Sequence, residues 1–304
     1  MKKIQRLSFP PLFPWRGTAG TLADSRLRGP IPALWQNRRP HRNRRIPRWI
    51  RSPLWLGLFL AATLAGCTSA RVAPAVSPYA SPEIALRSLA ATDVKGPITA
   101  TARIEIRRFG QRYPAKLALM LQKPARLRLE SIPLFGPPDL FLSIDGDELR
   151  VFIPERGAFY RGKATATNLS RFFPLALPAA DIVSLLLGQL PEEETASALQ
   201  GEMEEGLYRV ERYAGGEKTG SCWIDPAEDR LVRFQKGTEG ESAALTAEFA
   251  DPIRLGAAIM PQQVILGGGG GTLTIRYTEI RLSEDDRPAF ALPIPEGVTA
   301  TALD

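Results

Sequence analysis

His41 is the chain's only histidine, and Cys67 and Cys222 are its only cysteines. His41 lies in the densely basic stretch Asn37–Arg51, which reads as part of a leader and not of the folded protein. A domain without histidine has no Ser-His-Asp triad, no histidine metal site and not the commonest general base. Two cysteines cannot build a zinc cluster. The carboxylate pairs Asp145/Asp147 and Asp285/Asp286 fall at expected turns, where Asp serves the backbone. Gly267–Gly271 lacks the Lys-Ser/Thr that ends a phosphate loop, and strands rather than a helix flank it. No catalytic residue, metal ligand or bound cofactor is expected. Two features with chemical meaning remain: Cys67, and an apolar tip at Leu134 and Phe135.

Residues 1–66 hold thirteen of the 39 Lys and Arg but one of the 32 Asp and Glu. Leu54–Gly66 is uncharged and mostly apolar, and Leu64-Ala65-Gly66 runs directly into Cys67. A basic region, a short apolar run and small residues before a cut describe a secretory signal. The run falls short of the about 20 residues that span a bilayer. Leu-Ala-Gly-Cys resembles a bacterial lipobox, whose cysteine is acylated and becomes the first mature residue. Position 68 is Thr rather than the Asp that resembles an inner-membrane retention mark, which implies the outer membrane. A 66-residue leader is long, and residues 7–36 are Pro-rich without helical or strand period; a start codon further downstream is one reading of it.

Removing the leader reverses the charge. The chain from Cys67 keeps 26 basic and 31 acidic residues, a net of −5, so the formal +7 is no sign of nucleic-acid binding. Cys222 then has no partner for a disulfide and reads as a buried thiol beside Trp223.

The tip lies in Ile132-Pro133-Leu134-Phe135-Gly136-Pro137-Pro138. Leu127 and Leu129 alternate with charged residues before it, and Leu140, Leu142 and Ile144 alternate after it. Loop tips are normally polar, and three prolines exclude a helix or a continuing ladder here. Leu134 and Phe135 are either folded back onto the core or held out toward something apolar.

The elements around the tip follow from period. Residues 67–82 form a Pro/Ser/Ala-rich tether, and 83–304 the domain. Pro82–Ala91 reads as a short amphipathic helix that Ser81 could cap. Ile98–Ile106 and Tyr113–Leu121 (with Leu117 and Leu119 inward) form a hairpin around Phe109-Gly110-Gln111-Arg112. Asp145-Gly146 signals another hairpin. Residues 168–173 and 179–187 carry helical spacing, with Ile182, Val183, Leu185 and Leu186 apolar and Gly188 as a stop. Strands resume from Leu207. About eleven antiparallel strands interrupted by two apolar helices make a mainly β fold that must curl to cover its apolar face. Two short helices are too small to fill it, so an apolar cavity is expected beneath them.

The order of strands, "IPLFGPPDL", "DGDEL", "FPLALPAADIVSLLLGQLP" and "MPQQVIL…LTIRYTEIRL" resembles the LolB family of outer-membrane lipoproteins over about 95–285. The family's tip reads Asn-Pro-Leu-Gly; here Ile132–Gly136 is one residue longer. Its Pro-X-Pro and Leu-Gly-Leu-Pro-like elements match Pro174–Pro178 and Leu187–Pro191 in kind. The resemblance implies an open antiparallel half-barrel with a short helical lid over an acyl-binding cavity. It implies lipoprotein acyl chains as cargo, a LolA-like periplasmic carrier as donor and outer-membrane lipid as destination. Leu134 and Phe135 would be the membrane-insertion loop. Leu117, Leu119, Leu127, Leu129, Leu140, Leu142, Ile182, Leu185 and Leu186 would line the cavity. The expected protein is a periplasm-facing monomer anchored through acylated Cys67, a chaperone in lipoprotein localisation. Residues 95–130, with nine basic and two acidic side chains, either meet anionic headgroups or form a solvated face. The alternative functions are a structural or interaction lipoprotein with a LolB-like shell and no cargo, and a lipid-sensing regulator.

Overall fold

A computed structural model describes residues 77–192, 198–237, 245–283 and 290–303. Cys67, the leader and most of the tether lie outside these residues, as do Asp285 and Asp286. The alternating segments form β1 (Ile98–Arg108), β2 (Gln111–Gln122), β3 (Arg126–Ser131), β4 (Phe141–Asp145), β5 (Glu148–Ile153) and β6 (Ala158–Lys163). After the helices come β7 (Ala198–Glu204), β8 (Leu207–Ala214), β9 (Glu217–Asp225), β10 (Arg230–Lys236), β11 (Leu245–Leu255), β12 (Ala258–Gly268), β13 (Gly271–Leu282) and β14 (Ala300–Leu303).

All fourteen join one open sheet in the order β14-β6-β5-β4-β3-β2-β1-β13-β12-β11-β10-β9-β8-β7. Two meanders, β1–β6 and β7–β13, are zipped together by β1 against β13, from Ile98 opposite Leu282 to Arg108 opposite Gly271. The sheet does not close, and β7 and β14 are its edges. Period two puts one face inward throughout: Val151, Leu142, Leu129, Leu119 and Ala100 lie side by side across five strands. Ile104, Ile275, Val264 and Phe249 continue the inner surface on the other side, all buried.

The mainly β, open half-barrel expected from the sequence is the observed architecture, with fourteen strands instead of about eleven. Strand β7 (Ala-Leu-Gln-Gly-Glu-Met-Glu) carries no apolar alternation and is held by backbone pairing to β8. Strand β14 is parallel to β6, an exception to the antiparallel rule of the rest. The segment leading to it crosses the outer face. Phe290 is buried there, its carbonyl accepts from Ser143 Oγ, and the Ala291 and Leu292 carbonyls accept from Arg128 (2.8 Å) and Arg150 (3.1 Å).

Among the described residues there are three α-helices: α1 (Pro82–Ala91), α2 (Ala166–Leu169) and α3 (Ala179–Leu186). Ser81 caps α1 by accepting from the Ile84 amide. Thr92, just past α1, binds the Asp229 carbonyl (2.9 Å) and the Ile259 amide (3.0 Å), which fixes the helix at one end of the sheet. Helix α3 ends as its glycine predicted. Gly188 has φ +74°, its amide donates to Leu185 O, and the Gln189 amide reaches back to Ser184 O, a Schellman closure. Among the described residues no helix is long and apolar enough to cross a membrane.

Candidate functional site

The inner face of the sheet is an apolar trough, and α3 lies in it. Every α3 side chain except that of Ala180 is buried, and Ile182, Val183 and Leu185 are wholly so. The trough residues Leu117, Leu119, Leu127, Leu129 and Leu142 are 1–8% exposed. Leu140 precedes β4 and is half-buried. Of the residues expected to surround acyl chains, the five buried strand leucines lie on the inner face while Ile182, Leu185 and Leu186 lie on the helix packed against it, so the hollow expected beneath the lid is occupied by the lid itself. Eight residues suffice to put seven buried side chains into the concave face of the sheet. A space of about 10 Å³ lies between Leu89, Gly188, Leu231 and Pro261, at the lower limit of what one water molecule requires.

Polar contacts hold the helix as well as packing. The Tyr277 hydroxyl donates to Leu186 O (2.8 Å) from β13, and burial pushes that phenol's pKa well above its ordinary value. Asp181, in the first turn of α3 where the helix dipole favours an anion, lies 4.0 Å from the Lys236 ammonium. Gln189 Nε2 donates to Val94 O (3.3 Å).

The loop between β3 and β4 is built differently. Its neck is clamped by Ser131, whose Oγ accepts from the Asp139 and Leu140 amides (2.9 and 3.1 Å) and donates to the Asp139 carboxylate. The Ser131 amide donates to Leu140 O (3.0 Å), and the Ile132 amide to Lys116 O on β2 (2.8 Å). Beyond this neck Leu134 is 89% and Phe135 92% exposed. The open choice in the sequence is thus resolved: the tip is not folded back. Sequence reading missed the clamp. A Ser and an Asp on either side of a proline-rich loop were its visible signal.

The β1–β2 hairpin rises at the same end. Arg108 pairs with Gln111, so Phe109 and Gly110 form a two-residue turn with φ +52° and +73°. Phe109 is 84% exposed, and the Arg108 guanidinium stands 5.1 Å from its ring centre. Glu105 accepts from Arg107 (2.5 Å) and pairs with Arg112, and the Arg107 hydrogen bond foremost holds its carboxyl below the usual range. A cleft of about 440 Å³, open to solvent, separates this turn from the Gly269–Gly270 turn of β12–β13. Of the other residues with chemical potential, Cys222 is fully buried, and Asp145 and Asp147 flank the Gly146 turn as expected. No group of three metal-ligating side chains occurs among the described residues.

No protein-family model and no curated protein matches the sequence. Solved structures do. A domain assigned to outer-membrane lipoprotein sorting, from Vibrio parahaemolyticus, superposes with a TM-score of 0.51 at 14% identity, covering 70% of this chain and 97% of that one. A LolA-superfamily protein from Nitrosomonas europaea gives 0.45 at 10% identity over 70% and 99% of the two chains. A DUF1329-family protein from Desulfovibrio piger gives 0.48 at 13% identity over 70% and 95%. The likeness to the Vibrio parahaemolyticus domain is one of fold: the open half-barrel of this chain is shared with it at low sequence identity.

Proposed function

We propose that this chain is a non-catalytic, LolB-like lipoprotein of the Gram-negative envelope. It takes lipoprotein acyl chains into its trough from a LolA-like carrier and passes them to the outer membrane. Acylated Cys67 holds it there. The observation that carries this reading is the Leu134–Phe135 tip, two large apolar side chains kept in water by a clamped neck. Burial of each in lipid contributes about 1.5–3 kcal/mol, enough for repeated contact and too little for permanent insertion.

The closed trough sets a condition on cargo. Lifting α3 uncovers Ile182, Val183, Leu185, Leu186 and Leu187, about 7–15 kcal/mol of apolar burial as an upper bound. A palmitoyl chain, at about 0.8 kcal/mol per methylene, returns a similar amount. The exchange of helix for acyl chain is therefore near balance, which suits a protein that must both accept and release.

The test replaces Leu134 and Phe135 with Glu. Both side chains are exposed, so unfolding free energy should change by less than about 0.5 kcal/mol. Transfer of an acylated lipoprotein from the carrier to vesicles should fail. Normal transfer by the folded double variant removes the delivery role of the tip. The filled trough favours a second reading, an envelope lipoprotein of structural or interaction type with no cargo. Mass spectrometry of protein purified in mild detergent separates the two, because only a carrier retains an acylated guest.

A further inference from the structure

Seven large apolar side chains are exposed among the described residues: Ile84, Phe109, Ile132, Leu134, Phe135, Leu282 and Ile294. Four of them leave the sheet at one end. Leu117 lies opposite Ser131, so β3 runs toward the end from which the β1–β2 hairpin projects. The loop after β3 is tied to Lys116, and β2 continues five residues beyond that point, about 17 Å at strand rise, to Gln111. Pro114 lies in this overhang, where β2 has β1 on one side and no ladder to β3 on the other.

Phe109 at the end of the overhang is placed against two preferences. Both central residues of such a turn need positive φ, which favours Asn, Asp or Gly. A large ring at 84% exposure is also unfavourable in water. The surrounding charge is one-sided. Strands β1 and β2 carry Arg103, Arg107, Arg108, Arg112 and Lys116 against Glu105 as their single acidic residue. Glu105 is already shared between Arg107 and Arg112, while Arg108 stacks on the Phe109 ring.

The geometry points to the β1–β2 turn as a second membrane contact, in which Phe109 enters the headgroup boundary and Arg107, Arg108 and Arg112 bind the phosphates of anionic phospholipid. An aromatic ring with adjoining arginines suits that boundary, where one side of the site is apolar and the other wet and negative. With the Leu134–Phe135 tip on the same end, two separated contacts fix the protein's tilt on the bilayer, which a single tip cannot do. This inference rests on the reading that the tip meets the membrane, and the test separates the two.

The acylated chain that begins at Cys67 is placed in vesicles of phosphatidylethanolamine and phosphatidylglycerol with brominated acyl chains. Two variants, F109W and L134W, each carry one added tryptophan, read as the difference from the unsubstituted protein. Emission of both reporters should be quenched. Replacing phosphatidylglycerol with phosphatidylcholine, or introducing R108Q with R112Q, should reverse quenching at F109W more than at L134W. Quenching at L134W with none at F109W overturns the second contact and leaves the tip intact. Quenching at F109W alone overturns the tip and leaves the hairpin. Unchanged quenching at F109W after loss of the anionic lipid overturns the role of the arginines. Because Cys67 anchors every variant, F109N, which creates the preferred Asn-Gly turn, is read at the tip: it should fold as well as the parent and lower the quenching of L134W as the fixed tilt is lost; unchanged quenching there overturns the two-point contact.

Discussion

Tyr277→Phe removes one oxygen from the fully buried contact between β13 and the end of α3. The hydroxyl donates to Leu186 O at 2.8 Å, and the remaining ring keeps the packing. A buried hydrogen bond contributes about 0.5–1.5 kcal/mol net, and a buried carbonyl left unpaired raises the loss toward about 3 kcal/mol. A loss of about 1.4 kcal/mol corresponds to a factor of about ten. If acyl binding displaces α3, this bond is absent in the bound state. The variant then destabilises only the closed state, and the fraction with α3 lifted rises about tenfold. Apparent affinity for an acyl chain rises by up to the same factor, because the competent fraction divides the intrinsic dissociation constant. Urea unfolding and titration with a fluorescent palmitoyl probe measure the two quantities. They should move in opposite senses, with stability lower and binding tighter. Lower stability with unchanged or weaker binding refutes the displacement of α3 and the acyl-binding role of the trough with it.

Gly188→Ala tests the closure of the same helix by another route. Gly188 has φ +74°, and an added Cβ would lie 2.3 Å from Pro261 Cδ on β12. Left-handed strain of about 1–2 kcal/mol plus that overlap should lower the unfolding free energy by about 2–4 kcal/mol in urea titration; a neutral effect would mean that α3 does not close against β12. Acid should destabilise the fold. Hydrogen bonds from Arg150 to Glu148 and from Lys218 to Glu211 hold these carboxyls below their ordinary pKa of 4.5. The unfolded chain thus binds protons first, and the stabilisation present above pH 4.5 is lost as pH falls through the lower folded values. Burial raises the Asp93 pKa and contributes with the opposite sign. Glu148→Gln with Glu211→Gln should flatten the acid slope of the unfolding midpoint, and an unaltered slope would assign it to other groups.

Strands such as β1, β2, β3, β5 and β8 were legible in the sequence because each buries one face, and a two-residue period records that burial directly. The Gly188 stop, the Asp145-Gly146 turn and the Ser81 cap were legible because their requirements are local. Strand β7 was not, since its pairing uses backbone groups that leave no trace in side-chain type. Strand β14 was not, since its partner β6 lies about 140 residues away in the chain, and its Ala-Thr-Ala-Leu has no distinctive pattern. The sequence placed Leu134 and Phe135 on a loop but left their direction open; the Ser131–Asp139 clamp decides it, and that needs the loop's two ends to meet. It also placed Leu117, Leu119, Leu127, Leu129 and Leu142 at inward strand positions, where they are buried. Whether the inner surface is hollow depends on how tightly a coiled sheet wraps one helix, a property of strand pairing across the whole chain and of no segment alone. The tertiary structure fills the trough with α3 and brings Phe109 to the same end as the tip, because the register of β2 against β3 sets which turns share an end.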